Sequence, residues 1–448
     1  MLISFNLPAR LTCAGGLVYN LSVKILCGVL HARPSFKRFF MDKKRLEKYA
    51  DLIVKCGINV QPGQEVIIRC DLDQPDFVAM VAEKCYQAGA ERVTVEWSYM
   101  PVTKLSYIYR TEQSLSDFNA ADEAKLKRRS EVLPCLIWLD SDDPDGLTGT
   151  DHEKIAKARM ASYPKQKPYI DAMENKYQWC IAAVPGKAWA KKVFPDLAED
   201  EAIEKLWEAI LYTSRIDDDP IAAWKKHNET LDKRCKFLNS YKFDRLEYKS
   251  SNGTDFTVGL IDKGIFAGGG ETTLGRGIYF NPNIPSEEVF TSPMRGRADG
   301  RVVATKPLSY QGKLIENFWV EFKDGKVVKT HAEKNGDLLE QMVKMDEGAA
   351  YLGECALIAY DSPINNTGIL FYNTLFDENA SCHLALGRGF NNCLENYENY
   401  SVEQCKEIGI NDSMIHVDFM IGSKDMSIVG VTKDGKRVRI FKDGNWAI

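Results

Sequence analysis

Six side chains in the C-terminal half carry the chemistry open to this sequence. Glu287 and Glu288 lie in NPNIPSEEVFTSP, Glu354 in AAYLGECALIAY, His383 in LFDENASCHLALG, and His416 and Asp418 in MIHVDFMIG. Carboxylate oxygens and imidazole nitrogens are ligands for hard and borderline divalent cations, and each segment is flanked by apolar or small residues. In the last one Ile415, Val417 and Phe419 alternate with His416, Asp418 and Met420. On a strand, His416 and Asp418 therefore project from one face. A carboxylate inside a run as apolar as YLGECALIAY is costly to bury unless paired or bound to a cation, so Glu354 is expected to face a positive charge. Taken singly, each glutamate reads as a solvated edge residue and each histidine as a satisfied structural one; together, in one half of the chain, they point to a metal site.

The chain has six histidines, and four offer little. His31 lies in an atypical N-terminal stretch, His152 in TDHEK and His227 in WKKHNET read as exposed, and His331 as a surface-strand residue. Imidazole chemistry must draw on His383 and His416. The twelve cysteines are scattered without a C-x-x-C pair, which argues against a zinc ribbon, a thioredoxin-like motif or a small disulfide scaffold and fits a reducing cytoplasm. Glycine-rich stretches fail as nucleotide loops. GGGETTLGRG (268–277) carries Arg276 where a P-loop needs lysine and Gly277 where it needs serine or threonine, and GRGFNN (387–392) lacks the third glycine of a dinucleotide fingerprint. Neither H-E-x-x-H nor G-x-S-x-G occurs.

Such groups need a large scaffold to position them, and the composition supplies one. The 448 residues are 44% hydrophobic and 27% charged, with 58 Lys+Arg against 63 Asp+Glu and a net charge of -5. This is the profile of a soluble protein of two or three domains, with no general attraction to nucleic acid or an anionic membrane. From 41 to 241, short strands (EVIIRCD, RVTVEW, CLIWLD, QWCIAAV) alternate with helical stretches such as 42–56 and 74–89. That pattern predicts a doubly wound parallel-sheet α/β domain. From 242 to 448, Asn252-Gly253, Asp324-Gly325, Asp434-Gly435 and Asp443-Gly444 mark hairpins. A mainly antiparallel β (α+β) domain with one helix near 335–350 is expected there, and it carries the candidate ligands. Residues 1–40 hold an interrupted apolar stretch followed by a basic patch, too broken for a membrane span and in the wrong order for a signal peptide. Met41, just before an amphipathic helix, is the expected natural start, and 1–40 a non-native or disordered extension.

From Met41 to Ile448 the sequence resembles the aminopeptidase T family of thermophilic metalloaminopeptidases. The most specific pieces are SNGTDFTVGL, NIPSEEVFTSP, the LGE of YLGECALIAYDSPI, LFDENASCHLALG and HVDFMIG, in that order. The resemblance implies a two-domain subunit, a homodimer whose sites face a largely enclosed cavity, and two divalent metal ions (Zn, Co or Mg) held by Glu288, Glu354, His383, His416 and Asp418. It implies peptide substrates with a free N-terminus, cleaved by a water activated between the two cations, with Glu288 the expected bridge. Glu287 is the expected general base, with Glu378 the runner-up, and the peptide α-amine is expected to meet a cation or a nearby acid. One position departs: several relatives carry a tyrosine seven residues after the first ligand histidine, where this chain has Phe390. A noncatalytic peptide-binding relative and another metal-dependent small-amide hydrolase are the alternative readings.

Overall fold

In the computed structural model, which describes residues 42–448, the β-branched runs become a parallel sheet. Glu65–Asp71, Arg92–Ser98, Cys135–Asp140 and Trp179–Ala183 stand in the spatial order 179–183, 135–140, 65–71, 92–98. Val66, Ile68, Ile137, Leu139 and Ala182 are fully buried and join the apolar stripes of helices Lys43–Leu52, Pro75–Gln87 and Glu199–Thr213 in one core. Local chemistry starts these helices where the sequence predicts: the Asp42 side chain accepts the Lys44 N–H at 3.0 Å, and Pro75 opens the second with its fixed φ and absent N–H. The expected extension, residues 1–40, lies outside the described residues.

The β-rich half supplies a nine-stranded antiparallel sheet and a five-stranded one. All four marked dipeptides sit at hairpin turns: 252–253 between Phe243–Lys249 and Asp255–Leu260, 324–325 between Lys313–Lys323 and Lys326–Lys334, and 434–435 and 443–444 on either side of Arg437–Lys442. Asp324 and Gly325 both have positive φ, as do Asp443 and Gly444, the handedness that matches strand twist. The helix expected at 335–350 is shorter. It runs Gly336–Met342, followed by a single turn at Gly348–Ala350. Asp346 interrupts it, because its carboxylate accepts from the Ala349 and Met414 N–H groups and the Ser413 hydroxyl.

The two sheet systems interlock across position 241. Asn283–Ile284 adds a fifth parallel strand beside Trp179–Ala183, and Ile364, Phe371, Leu375, Phe376 and Ala380 are buried in the first core. Trp189 Nε1 donates to the Phe371 carbonyl at 2.5 Å. The described residues accordingly belong to one contact-connected unit. The crevice between the sheets is where the candidate ligands meet.

Candidate metal centre

The five-stranded sheet runs in the order 416–420, 383–387, 352–357, 289–291, 267–268, antiparallel throughout. Its register decides which residues share a face. Ala385 stands opposite Glu354 on one side and Asp418 on the other, His383 opposite Ala356 and Met420, and Gly387 opposite His416. Directly opposed residues point the same way, so Glu354, His383, His416 and Asp418 share one face. The small residues Ala356, Ala385 and Gly387 leave that face open between them. Gly387 has φ +106° and a Cβ there would stand 2.1 Å from the Ile415 carbonyl oxygen, so no side chain can fill the space beside His416. Cys355, Leu357, Leu384, Leu386 and Phe419 alternate onto the opposite face and bury in the second core. Period-two alternation thus does two jobs: one face folds the sheet, the other holds the acids and imidazoles.

Both histidines are aimed from behind. His383 Nδ1 lies 2.8 Å from the Glu378 carbonyl oxygen and His416 Nδ1 2.7 Å from that of Arg388. A carbonyl only accepts, so each Nδ1–H donates and the Nε2 of the neutral ring turns a lone pair inward. His383 Nε2 then faces Glu288 Oε2 at 3.5 Å and Asp418 Oδ1 at 3.8 Å. His416 Nε2 faces Glu354 Oε2 at 3.1 Å and Asp418 Oδ1 at 3.3 Å. Acceptors confront acceptors, and buried Asp418 Oδ1 has no hydrogen-bond partner.

Protons must compensate for this crowding when no cation does. Burial, and after it the carboxylates of Glu354 and Asp418, push Glu288 well above the usual carboxylate range. Glu378 is raised in the same way by burial and then by Asp418, Glu288 and Glu354. For His416 burial alone would lower the pKa, but Asp418 and Glu354 outweigh it and lift the ring well above the ordinary histidine range. Asp418 is held low, burial being outweighed chiefly by His416. Side chains that need added protons to coexist fit a divalent cation. Two trios present ligand atoms within 4.8 Å of one another: Glu288, Glu354 and His383, and Glu354, His416 and Asp418. Glu354, rather than the expected Glu288, is common to both.

The cluster lines a cavity of about 780 Å³ that also receives Asp140 and Asp142 from the end of the parallel strand Cys135–Asp140, Glu271, and the rings of Phe290 and Phe390. Phe390 covers His416, ring centroids 4.8 Å apart, and touches Phe290 at 5.7 Å. The wall where several relatives are expected to carry a phenol is therefore hydrocarbon.

Glu287 turns away. Strand neighbours face opposite sides, and its carboxylate meets Arg215 Nη2 at 2.5 Å, with His227 Nε2 at 3.9 Å. It does not line the cavity, whereas Glu378 does. The expected base Glu287 thus stands outside the cavity, and the runner-up Glu378 inside it. His227 corrects a second expectation. It is largely buried, its Nε2 lies 2.7 Å from the Ser286 carbonyl oxygen, and its ring packs edge-on to Trp224 at 5.6 Å. Burial, and then Arg215, push its pKa down to about 3. The charged string WKKHNET hid the fact that Trp224, His227 and Leu231 recur at helical spacing on one face of Pro220–Tyr241. Sequence reasoning missed Arg215, which follows a helix with no motif around it, and Glu271, which sits in the glycine-rich stretch that fails as a P-loop.

Residues 42–446 match the model of the family described as thermophilic metalloprotease (M29). The chain is 42% identical over 407 residues to Aminopeptidase 2 of Geobacillus stearothermophilus, covering 90% of this chain and 98% of that protein. It is likewise 42% identical over 412 residues to Aminopeptidase AmpS of Bacillus subtilis, with 90% and 98% covered. Among solved structures, it is similar to wild-type AmpT from Thermus thermophilus, with a TM-score of 0.83 and 37% identity over 91% of this chain and 100% of that one. That structure has the same pairing of a parallel-sheet part with an antiparallel-sheet part.

Proposed function

The chain belongs to the thermophilic metalloprotease (M29) family and is a metal-dependent peptidase, and from that premise we propose that it is an aminopeptidase releasing the N-terminal residue from peptides with a free N-terminus. The relatives above bear that activity in their names. The reading is carried by one observation: five side chains that turn only acceptor atoms toward one another at the wall of a peptide-sized cavity. They would hold two divalent cations, zinc, cobalt or magnesium, in the trios that share Glu354. When bound, these supply Lewis-acid polarisation of the scissile carbonyl and a water of lowered pKa.

The protein's own groups do the rest. The Glu378 and Arg388 carbonyls fix His383 and His416 in the tautomer that presents Nε2. Glu378, with its raised pKa, is placed to take a proton from the attacking water on a carboxylate oxygen and return it to the leaving amide nitrogen. Phe390 and Phe290 keep the His416 side of the site apolar. Two further parts of the reading concern the whole molecule. A homodimer is supported by an exposed apolar helix, Met100–Tyr109. A cytoplasmic location is supported by the ten described cysteines, all free thiols. No helix among the described residues is long and apolar enough to cross a membrane.

The test compares an aminoacyl anilide with its N-acetyl counterpart before and after exhaustive dialysis against a chelator. Only the free-amine substrate should be cleaved, dialysis should abolish its cleavage, and added divalent metal should restore it. Comparable cleavage of the acetylated substrate, or activity indifferent to metal removal, would overturn the proposal.

A further inference from the structure

An exopeptidase has to recognise the end of its substrate, and an α-ammonium group in a partly desolvated cavity needs a carboxylate not already engaged. Most of the acids lining this cavity are engaged. Glu174 faces Arg388 at 3.6 Å, Asp140 accepts from Asn373 Nδ2 at 2.7 Å and from the Asp142 N–H at 3.1 Å, Asp142 is crowded by the Asp140 and Asp71 carboxylates, Asp143 accepts from the Asp145 N–H at 2.9 Å, and Glu378 lies against Asp418. Glu271 differs from all of these. Among the described residues its carboxylate takes part in no ion pair, and its hydrogen bond is one long contact from Asn392 Nδ2 at 3.4 Å. It belongs to neither ligand trio.

The backbone brings Glu271 close to the reacting groups without making it one of them. Ala267–Gly268 is the edge strand of the five-stranded sheet and pairs with Val289–Thr291, directly after Glu288. A Cβ on Gly268 would stand 2.5 Å from the Glu288 carbonyl oxygen, so a glycine is required for that approach. Three residues on, Glu271 starts a short ladder with Tyr279–Phe280 and enters the same cavity as Glu288, Glu354 and His416. Its charge is one of those felt by Glu288.

We propose that Glu271 receives the α-ammonium group of the peptide, with Asn392 orienting its carboxylate; this deepens the aminopeptidase reading and rests on it. The pair forms by ion pairing and hydrogen bonding alone, with no bond made or broken. Burial has already pushed the Glu271 pKa up to about 7, near the ordinary range of a peptide α-amine, and an arriving ammonium favours the ionised carboxylate. A substrate lacking that amine leaves Glu271 unpaired, which is how the site would reject interior segments of a chain.

Two hydroxamates differing only in the amine provide the probe: leucine hydroxamate and 4-methylpentanohydroxamate, with inhibition constants measured on the metal-loaded enzyme. Wild type should bind the amine-bearing compound about 10- to 100-fold more tightly. In Glu271→Gln that preference should collapse to within about threefold, while the constant for the amine-free compound and the bound metal content stay at wild-type values. Glu271→Ala reads the same ratio with a smaller side chain, should the glutamine variant fail to accumulate. Wild-type preference surviving in either variant overturns the Glu271 assignment alone. No preference in wild type, together with cleavage of N-acetyl substrates, overturns the aminopeptidase reading and this inference with it.

Discussion

Glu287 and Glu378 are both buried carboxylates with raised pKa values, and their neighbours differ in charge. Burial raises Glu287, but Arg215 offsets it, so the residue is half of an ion pair whose partners are each about one-fifth exposed or less. Glu287→Gln leaves Arg215 without its carboxylate partner, holding only a long contact to the Thr213 carbonyl at 3.4 Å and the Trp224 face 5.8 Å away. Loss of one partner from such a pair costs about 3 kcal/mol, so urea unfolding should shift markedly while kcat falls less than about tenfold. Among the described residues Glu378 forms no ion pair with a lysine or arginine, and other acids surround it. Glu378→Gln should leave the unfolding midpoint unchanged or raised, because a buried repulsion is removed, and should lower kcat by about 10²–10⁴. The reverse pattern would return the base role to Glu287. Residue types in apolar runs made the five candidate ligands legible in the sequence, since burying Glu354 or His383 there demands a partner. Arg215 was not legible, because what marks it is the neighbour it acquires in three dimensions.

At the scale of elements, the site is one face of a sheet whose other face is core. The strands and hairpins could be read because period two and Asp-Gly or Asn-Gly turns are local signals. The two-residue strand Asn283–Ile284 could not, since so short a piece carries no periodicity and exists only by pairing with Trp179–Ala183. Nor could the return of 364–380 into the first core, which is a long-range event. The register gives a prediction that composition could not. Ala385 is fully buried and lies between Glu354 and Asp418 on the ligand face. Ala385→Val inserts two methyl groups where a cation would sit, at an overpacking cost of about 1–3 kcal/mol. Bound metal, measured by elemental analysis after dialysis, should fall by more than half, whereas Leu386→Met, on the core face of the same strand, should retain it. Equal metal content in the two variants would mean that this face does not hold the cation.

At the scale of the whole molecule, one helix leaves its large apolar side chains uncovered. Met100–Tyr109 buries no residue, and Val102, Leu105, Ile108 and Tyr109 are between 45% and 80% exposed, with Leu72, Trp97 and Tyr99 exposed as well. The helices Lys43–Leu52, Pro75–Gln87 and Glu199–Thr213 each bury an apolar stripe, so propensity alone does not explain an apolar helix left uncovered. Exposed patches of this kind mark contact surfaces, and a second copy of the chain is the proposed cover. The same helix begins at Met100, which lines the cavity that holds the candidate ligands. A partner seated on it would therefore stand beside the cavity. Light scattering coupled to size exclusion should give a dimer for wild type and a monomer for the double variant Val102→Glu, Leu105→Glu, which should keep its circular dichroism spectrum and cooperative unfolding because both side chains face solvent in the isolated subunit, while its midpoint drops by the lost association energy. If the partner gates entry, the monomer should gain activity on long peptides relative to dipeptides. A variant that stays dimeric would place the interface elsewhere, and a monomer with unaltered length preference would separate assembly from access.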